Sequence, residues 1–284
     1  MAPSPPARLV PSTDGVTVAL HDLGGDGPPL LMCHPTGFLA MTWTPMAQQL
    51  AGVARCWALD FRGHGQSTAP ESGDYAWGGM CDDVLAVVDA LGLSAVRAIG
   101  HSMGGAALLM AEQRRPGTFR GMWLYEPIVF PPLEGGGHRE NPLAAAARRR
   151  RPRFADRDAA YANFASKPPL DGIDPTALRA YVDHGLRDAP DGDGVELACS
   201  PETEARVFDN GMTHDTFAHL GEVMCPVTIA ASGDIGVGPA QMAPAIVAAL
   251  PHGTLERHPT ATHFGPMADP AAMAEAARTA LHLG

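Results

Sequence analysis

The sequence of 284 residues contains no long apolar run, no closely spaced cysteines and no excess of basic residues. A transmembrane helix needs about 18 consecutive apolar residues, and a signal peptide needs an apolar core near the N-terminus; the sequence shows neither. Its five cysteines are far apart, which argues against a disulfide framework and against a zinc site. We therefore expect a cytoplasmic protein with reduced thiols, no metal and no membrane partner.

The net charge of −11 argues against nucleic acid as the main partner, because phosphate binding requires a basic surface. Hydrophobic residues make up 45% of the chain, which is ordinary for a domain that buries a core. A small-molecule substrate is the expected partner, and the sequence leaves a homodimer open.

Short apolar strand patterns alternate with helical patterns along most of the chain. Strands are predicted at 16–20, 29–33, 56–59, 96–99, 121–125, 227–231 and 254–258, and helices at 77–91, 106–112 and 270–283. This alternation predicts an α/β fold with a mostly parallel central sheet and helices on both faces. In such a sheet, ligands bind at the carboxyl ends of the strands.

The stretch 127–222 interrupts this alternation. It has no strong strand pattern, and its helical patterns lie at 143–154, 157–165 and 175–186. It is too long to be a loop in a compact domain. We therefore predict a core formed by residues 1–126 and 223–284, with 127–222 inserted as a helical cap.

A serine flanked by glycines follows the predicted strand 96–99, in the sequence Gly-His-Ser-Met-Gly at 100–104. The small residues at 100 and 104 permit a sharp turn that exposes Ser102 at the edge of the sheet. A predicted helix begins directly after the turn, so its positive N-terminal end lies near the hydroxyl. This context indicates that Ser102 is a catalytic nucleophile.

With three further motifs, this turn makes the chain resemble the α/β-hydrolase fold family. The others are His-Pro-Thr-Gly-Phe at 34–38, Asp-Phe-Arg-Gly-His-Gly-Gln-Ser at 60–67 and Thr-His-Phe at 262–264. The resemblance covers nearly the whole chain outside the insertion. It implies the α/β-hydrolase fold and no metal or cofactor, and it says little about the substrate.

A serine nucleophile needs a base, and histidine is the usual one. The resemblance places the base in the loop between the last strand and the last helix, where this chain has His263. His101 adjoins Ser102 but points elsewhere on so tight a turn; we assign it to the substrate pocket, packed against the strand ends or the insertion. His34 and His64 are expected to fix loops.

Two carboxylates compete for the role of the acid that orients His263. Most members of the family keep their acid after the strand that corresponds to 227–231, where Asp234 stands. There, however, the catalytic position of the family pattern is occupied by Gly236, and Asp234 matches the non-catalytic acidic position. Glu126 follows strand 121–125, the location that some members use, and is our first choice; Asp234 is the alternative.

A tetrahedral intermediate also needs hydrogen-bond donors aimed at its oxygen. The resemblance assigns these to the backbone N–H groups of Met103 and Thr36, with Gly37 in place of Thr36 if the register differs by one residue. Phe38 and Trp43 are predicted to line the acyl pocket, and core packing is their alternative role.

A basic cluster lies inside the insertion. It consists of Arg148, Arg149, Arg150, Arg151 and Arg153, within a segment that holds seven arginines and only two carboxylates. A solvated helix face is the simpler interpretation. The sharper hypothesis is that one or two of these arginines bind a carboxylate or phosphate on the substrate.

These residues predict a serine hydrolase that cleaves a small carboxylic ester or lactone through an acyl-enzyme. Carbon–carbon bond hydrolysis and perhydrolysis on the same residues remain alternatives. A non-hydrolytic ligand-binding protein of the same fold is another, as is an enzyme that uses His263 as a base without Ser102 as a nucleophile.

Overall fold

The computed structural model of the protein describes residues 7–131, 141–233 and 238–284. These residues form the strands β1 (Arg8–Pro11), β2 (Thr17–Gly24), β3 (Pro29–Cys33), β4 (Arg55–Asp60), β5 (Val96–His101), β6 (Phe119–Tyr125), β7 (Arg153–Phe154), β8 (Leu186–Asp188), β9 (Val195–Leu197), β10 (Val227–Ser232) and β11 (Gly253–His258). One sheet of eight strands has the order β1-β2-β4-β3-β5-β6-β10-β11. Neighbours from β4 to β11 in this order run parallel, whereas β2 runs antiparallel to both β1 and β4. The sheet is therefore mostly parallel, as predicted.

The helices of the described residues connect these strands. They are α1 (Thr44–Leu50), α2 (Trp77–Ala90), α3 (Met103–Arg114), α4 (Pro142–Arg148), α5 (Arg157–Ala165), α6 (Pro175–Gly185), α7 (Pro201–Asp209), α8 (Ala243–Ala249), α9 (Gly265–Ala268) and α10 (Pro270–Ala280), with short 3₁₀ helices at Ala40–Trp43, Thr216–Glu222 and Pro239–Gln241. None of the helices in the described ranges is both long and apolar enough to cross a membrane.

Strand β3 shows how the sheet is covered on both faces. Successive side chains of a strand point to opposite sides. Leu31 and Cys33 pack in a core cluster with residues of α2, α3 and α8. Leu30 and Met32 pack in a second cluster with residues of α1 and α10. The helices therefore form layers on both sides of the sheet, which confirms the predicted fold class.

The segment between β6 and β10 holds helices α4 to α7 and a small antiparallel sheet in the order β7-β9-β8. Helix α5 coincides with the predicted helix 157–165, and Asp156 caps it by accepting a hydrogen bond from the N–H of Ala159 at 2.7 Å. This small sheet beside the helices of the insertion was not predicted from the sequence. Its strands of two or three residues are too short to show an alternation pattern.

The inserted segment contacts the core above the loop that follows β3. Phe38 from that loop packs in a third apolar cluster with Tyr181 of α6 and Met267 of α9. The 3₁₀ helix Thr216–Glu222 lies instead against the core, where Leu220 joins the cluster of α2, α3 and α8. The domain boundaries at 126 and 223 remain a prediction.

Candidate active site

Ser102 lies in the sharp turn between β5 and α3, at the carboxyl edge of the sheet. Its backbone has φ +55° and ψ −116°, which is strained for a residue with a side chain. The flanking positions require glycine: a Cβ on Gly100 would lie 2.7 Å from Gly105 Cα, and one on Gly104 would lie 2.2 Å from the carbonyl oxygen of Cys33. The turn thus has the local form expected of a nucleophile elbow, with Ser102 as the N-cap residue of α3.

A hydrogen bond joins His263 to Glu126. The ring Nδ1 of His263 donates to Glu126 Oε2 at 2.5 Å, and the backbone N–H of Ser232 donates to Oε1 at 2.7 Å. Because an ionised carboxylate can only accept hydrogen bonds, Nδ1 carries a proton, and in the neutral ring the lone pair lies on Nε2. An imidazole in this tautomer can take a proton from a serine hydroxyl.

Glu126 is ionised at neutral pH even though it is only 1% exposed. Burial alone would raise the pKa of its carboxyl group, but the hydrogen bonds from His263 and Ser232 and the electrostatic attraction of the nearby His263 hold the pKa below its usual value. The backbone at Glu126 has φ +45°, so this residue also adopts a left-handed conformation.

The alternative acid, Asp234, lies outside the described residues. Ser232 ends β10, the strand directly beside β6, and holds Glu126 through its backbone N–H. Sequence reasoning missed this contact, because a backbone donor leaves no signature in residue type. The geometry of the described residues therefore favours Glu126 as the partner of His263.

The Ser102 hydroxyl has no hydrogen-bond partner within 7–131, 141–233 and 238–284, so it is not bonded to His263. In free enzymes this contact is often long and shortens when substrate binds. The side chain of His263 is 31% exposed, whereas Ser102 as a whole is 7% exposed. The site is therefore open to solvent at the base and nearly closed at the serine.

The loop after β3 distinguishes the two candidate oxyanion donors, Thr36 and Gly37. The N–H of Gly37 donates to His64 Nε2 at 3.2 Å and is therefore occupied. The N–H groups of Thr36 and Met103 have no acceptor in the described part of the chain. The Thr36 hydroxyl lies 3.4 Å from the Met103 sulfur, so the two residues are neighbours. Thr36 is thus the better donor of the two that the sequence left open.

His34 and His64 hold this loop against the loop that follows β4. The N–H of Phe61 donates to His34 Nε2 at 3.0 Å, while His34 Nδ1 donates to the carbonyl oxygen of Pro35 at 2.8 Å. His64 Nδ1 likewise donates to the carbonyl oxygen of Arg62 at 3.0 Å. Burial lowers the pKa of His34 to about 3, so its ring stays neutral and keeps both bonds. The loop-fixing role predicted for both histidines agrees with these contacts.

His101 is fully buried next to His263. Its ring centroid lies 4.8 Å from that of His263 and 5.6 Å from that of Tyr125. Burial and the neighbouring His263 ring hold the pKa of His101 well below its usual value. The contact with Tyr125 fits the expected packing against the strand ends, and a role of His101 in the substrate pocket remains a prediction.

The structure brings one of the two predicted pocket aromatics close to the base. Phe38 packs between Tyr181 and Phe264, with ring centroids 5.2 and 5.9 Å away, and Phe264 contacts His263. Trp43 is 1% exposed and belongs to the core cluster of α1 and α10. Phe38 therefore remains a candidate pocket residue, while Trp43 has the core role that the sequence left as its alternative.

Two arginines of the basic cluster are paired with carboxylates at the surface. Arg148 donates to Glu202 at 3.1 Å and to Asp209 at 2.7 Å. Arg153 donates to both oxygens of Asp191, at 2.7 and 3.0 Å. Exposed pairs of this kind add little stability, but they neutralise the charge of these arginines.

Arg150 differs because it points inward. It forms an ion pair with Glu204, and its other terminal nitrogen donates to the Tyr181 hydroxyl at 2.7 Å. Its side chain is 23% exposed and that of Glu204 is 9% exposed. Through Tyr181 it is linked to Phe38 and hence to the neighbourhood of the base.

Residues 28–270 match the family described as the α/β hydrolase fold, and the chain belongs to that family. An N-formylmaleamate deformylase of Pseudomonas putida is 33% identical over 132 residues, which make up 46% of this chain and 47% of the relative. An epoxide hydrolase of Caballeronia sordidicola is 30% identical over 121 residues, or 42% of this chain and 36% of that protein.

A crystal structure of E-2-(acetamidomethylene)succinate hydrolase superposes with a TM-score of 0.78 at 21% identity, covering 97% of this chain and 98% of that one. At this identity the likeness shows the fold alone. The chain matches less than half the length of the two curated relatives. Fold and relatives together support a hydrolase.

Proposed function

We propose that the protein is a serine hydrolase that cleaves a small carboxylic ester or lactone through an acyl-enzyme. The observation that carries the proposal is the strained turn that places Ser102 at a helix N-terminus, together with a His263 ring that Glu126 orients. An activated serine needs these three parts, and strain of this kind is characteristic of functional positions.

In the first half of the reaction, His263 Nε2 takes the proton of Ser102 while Oγ bonds to the carbonyl carbon of the substrate. The carbonyl electron pair moves to the oxygen, where the N–H groups of Thr36 and Met103 stabilise the negative charge. Glu126 stabilises the imidazolium. The ester C–O bond then breaks, and His263 returns its proton to the leaving alcohol.

In the second half, His263 takes a proton from water, and the water oxygen bonds to the acyl carbon. The oxyanion forms again and collapses, the bond to Ser102 breaks, and His263 returns the proton to Ser102 Oγ. The products are the carboxylic acid and the free enzyme. For a lactone, the alcohol of the first half belongs to the same molecule as the acid.

The serine at the elbow supports acyl transfer over epoxide hydrolysis, the reaction for which one relative is named. Epoxide hydrolases of this fold use an aspartate where this chain has Ser102. The deformylase relative extends the range of acyl groups to be tested to an N-formyl amide. The inward position of Arg150 extends it to substrates with a carboxylate, since guanidinium groups pair well with carboxylates.

The proposal is tested with a fluorophosphonate probe and a panel of esters, lactones and an N-formyl amide of varied length and charge. We expect covalent labelling and turnover in the wild type, and loss of both in Ser102→Ala. The matched control is Ser72→Ala, which removes an exposed serine hydroxyl. Absence of labelling would indicate a ligand-binding protein, and full activity of Ser102→Ala would indicate a base-only enzyme; either result would overturn the proposal.

A further inference from the structure

Tyr125, the last residue of β6, is connected to Ser102, His263 and Glu126 in three different ways. Its carbonyl oxygen accepts the N–H of Ser102 at 3.0 Å. Its hydroxyl donates to the carbonyl oxygen of Thr262 at 2.6 Å. The next residue along the chain is Glu126 itself.

The contact with Thr262 acts on the peptide group that carries the base. The carbonyl of Thr262 and the nitrogen of His263 belong to the same planar peptide unit, so fixing the oxygen restricts the orientation of the following Cα. The fit around the phenol is close: a Cβ on Gly265 would lie 2.5 Å from the Tyr125 hydroxyl oxygen. The turn 262–265 therefore wraps tightly around this one side chain.

The hydroxyl of Tyr125 is not required to satisfy the Thr262 carbonyl, which also accepts the N–H of Gly265 at 2.9 Å. Tyr125 is completely buried, and burial together with the charge of Glu126 raises the pKa of its hydroxyl. The hydroxyl therefore keeps its proton at neutral pH and donates it to the Thr262 carbonyl oxygen. Its contribution is an additional restraint on the turn.

We infer that Tyr125 is a positioning residue for the base: its hydroxyl holds the 262–263 peptide so that His263 faces both Glu126 and Ser102. The inference rests on the proposed hydrolysis, because positioning matters only if His263 moves protons. Tyr125 is not itself a catalytic residue, since it lies in the core and touches no reacting atom.

The test is Tyr125→Phe, which removes the hydroxyl and keeps the ring. We expect kcat and the rate of fluorophosphonate labelling to fall about tenfold, because small misplacements of a catalytic group are costly. KM should stay within about twofold, since the hydroxyl does not touch substrate. The downfield proton resonance of the short His263–Glu126 hydrogen bond should broaden or shift. Activity is expressed per active site, as titrated with the probe.

The matched control is Tyr75→Phe, a buried tyrosine whose hydroxyl has no hydrogen-bond partner among the described residues. It should match the wild type in kcat and labelling. If Tyr125→Phe folds poorly, Gly265→Ala perturbs the same contact from the other side and should also lower kcat.

A fall in melting temperature of Tyr125→Phe with unchanged kcat, labelling and proton resonance would overturn the inference, because the hydroxyl would then be only structural. Failure of the proposed function gives a different pattern, in which the wild type is not labelled. The His263–Glu126 resonance still reports the effect of Tyr125 in that case. A change in this resonance in Tyr125→Phe alone, without a change in the Tyr75 control, would support the positioning contact.

Discussion

Substituting Glu126 by glutamine removes one of two acceptors that the site uses. Both carboxylate oxygens accept an N–H: Oε2 from His263 at 2.5 Å and Oε1 from Ser232 at 2.7 Å. Glutamine offers one acceptor and one donor in nearly the same shape. One of the two N–H groups must therefore face an amide donor.

The conflict is resolved at His263. The backbone proton of Ser232 cannot move, whereas an imidazole proton can transfer from Nδ1 to Nε2. The amide oxygen then stays with Ser232, the NH₂ group donates to His263 Nδ1, and Nε2 carries the proton. In this tautomer the ring has no lone pair for the Ser102 hydroxyl. The equivalent change in a serine protease costs about 10⁴ in kcat, which corresponds to ~5 kcal/mol of transition-state stabilisation.

We therefore expect Glu126→Gln to lower kcat by roughly 10³- to 10⁴-fold with a folded protein and intact binding. The assay is kcat for an activated ester, with the melting temperature measured in parallel. Asp234→Asn, the alternative acid, is the control and should lose much less. Activity of Glu126→Gln within about tenfold of the wild type would refute the tautomer argument, as would a larger loss in Asp234→Asn.

Two further predictions concern the buried carboxylates of Glu126 and Glu204. The pKa of Glu126 is lowered in the folded state, so its stabilising contribution is present above about pH 4.5 and is lost as the pH falls through the folded pKa. The melting temperature of Glu126→Gln should therefore change less with pH in that range than the melting temperature of the wild type. An equal change of melting temperature with pH in the two proteins would contradict this. Arg150→Gln removes a positive charge and leaves the negative charge of Glu204 unpaired in a buried position. Anionic esters should therefore be disfavoured, and the ratio of kcat/KM for anionic esters to kcat/KM for neutral esters should fall about tenfold. Arg149→Gln, an exposed neighbour with the same charge change, is the control, and equal ratios in both variants would remove a role for Arg150 in substrate recognition.

The elbow was predictable because its constraint determines residue type at positions close together in the chain. A Cβ at position 100 or 104 collides with backbone or main-chain atoms of the turn and of β3, so glycine at both positions marks the turn in the sequence itself. The ends of the parallel strands were predictable for a similar reason, since compact apolar runs end at polar turns. Both signals can be recognised within a short stretch of the sequence.

Burial depends on distant packing and was harder to predict. Trp43 and Phe38 follow the same strand and are both aromatic, yet one packs against α1 and α10 and the other against the inserted segment. His101 adjoins the serine, but the tight turn directs it into the core behind His263. The helices that cover each face of the sheet determine where such a side chain packs, and a local pattern in one sequence does not contain that information.

The two candidate acids could not be separated by their places in the sheet. Strands β6 and β10 are parallel neighbours, so residues at the end of either one lie close to the loop of His263. Glu126 has a left-handed backbone, with φ +45°, whereas a residue before proline ordinarily prefers an extended one. Ser102 at the end of β5 is left-handed too. Such conformations cost about 1–3 kcal/mol each, and glycine would adopt them with less strain. Serine and glutamate stand at these positions despite that strain, and the proposed reaction gives each side chain a role at the edge of the sheet that glycine, with no side chain, could not perform.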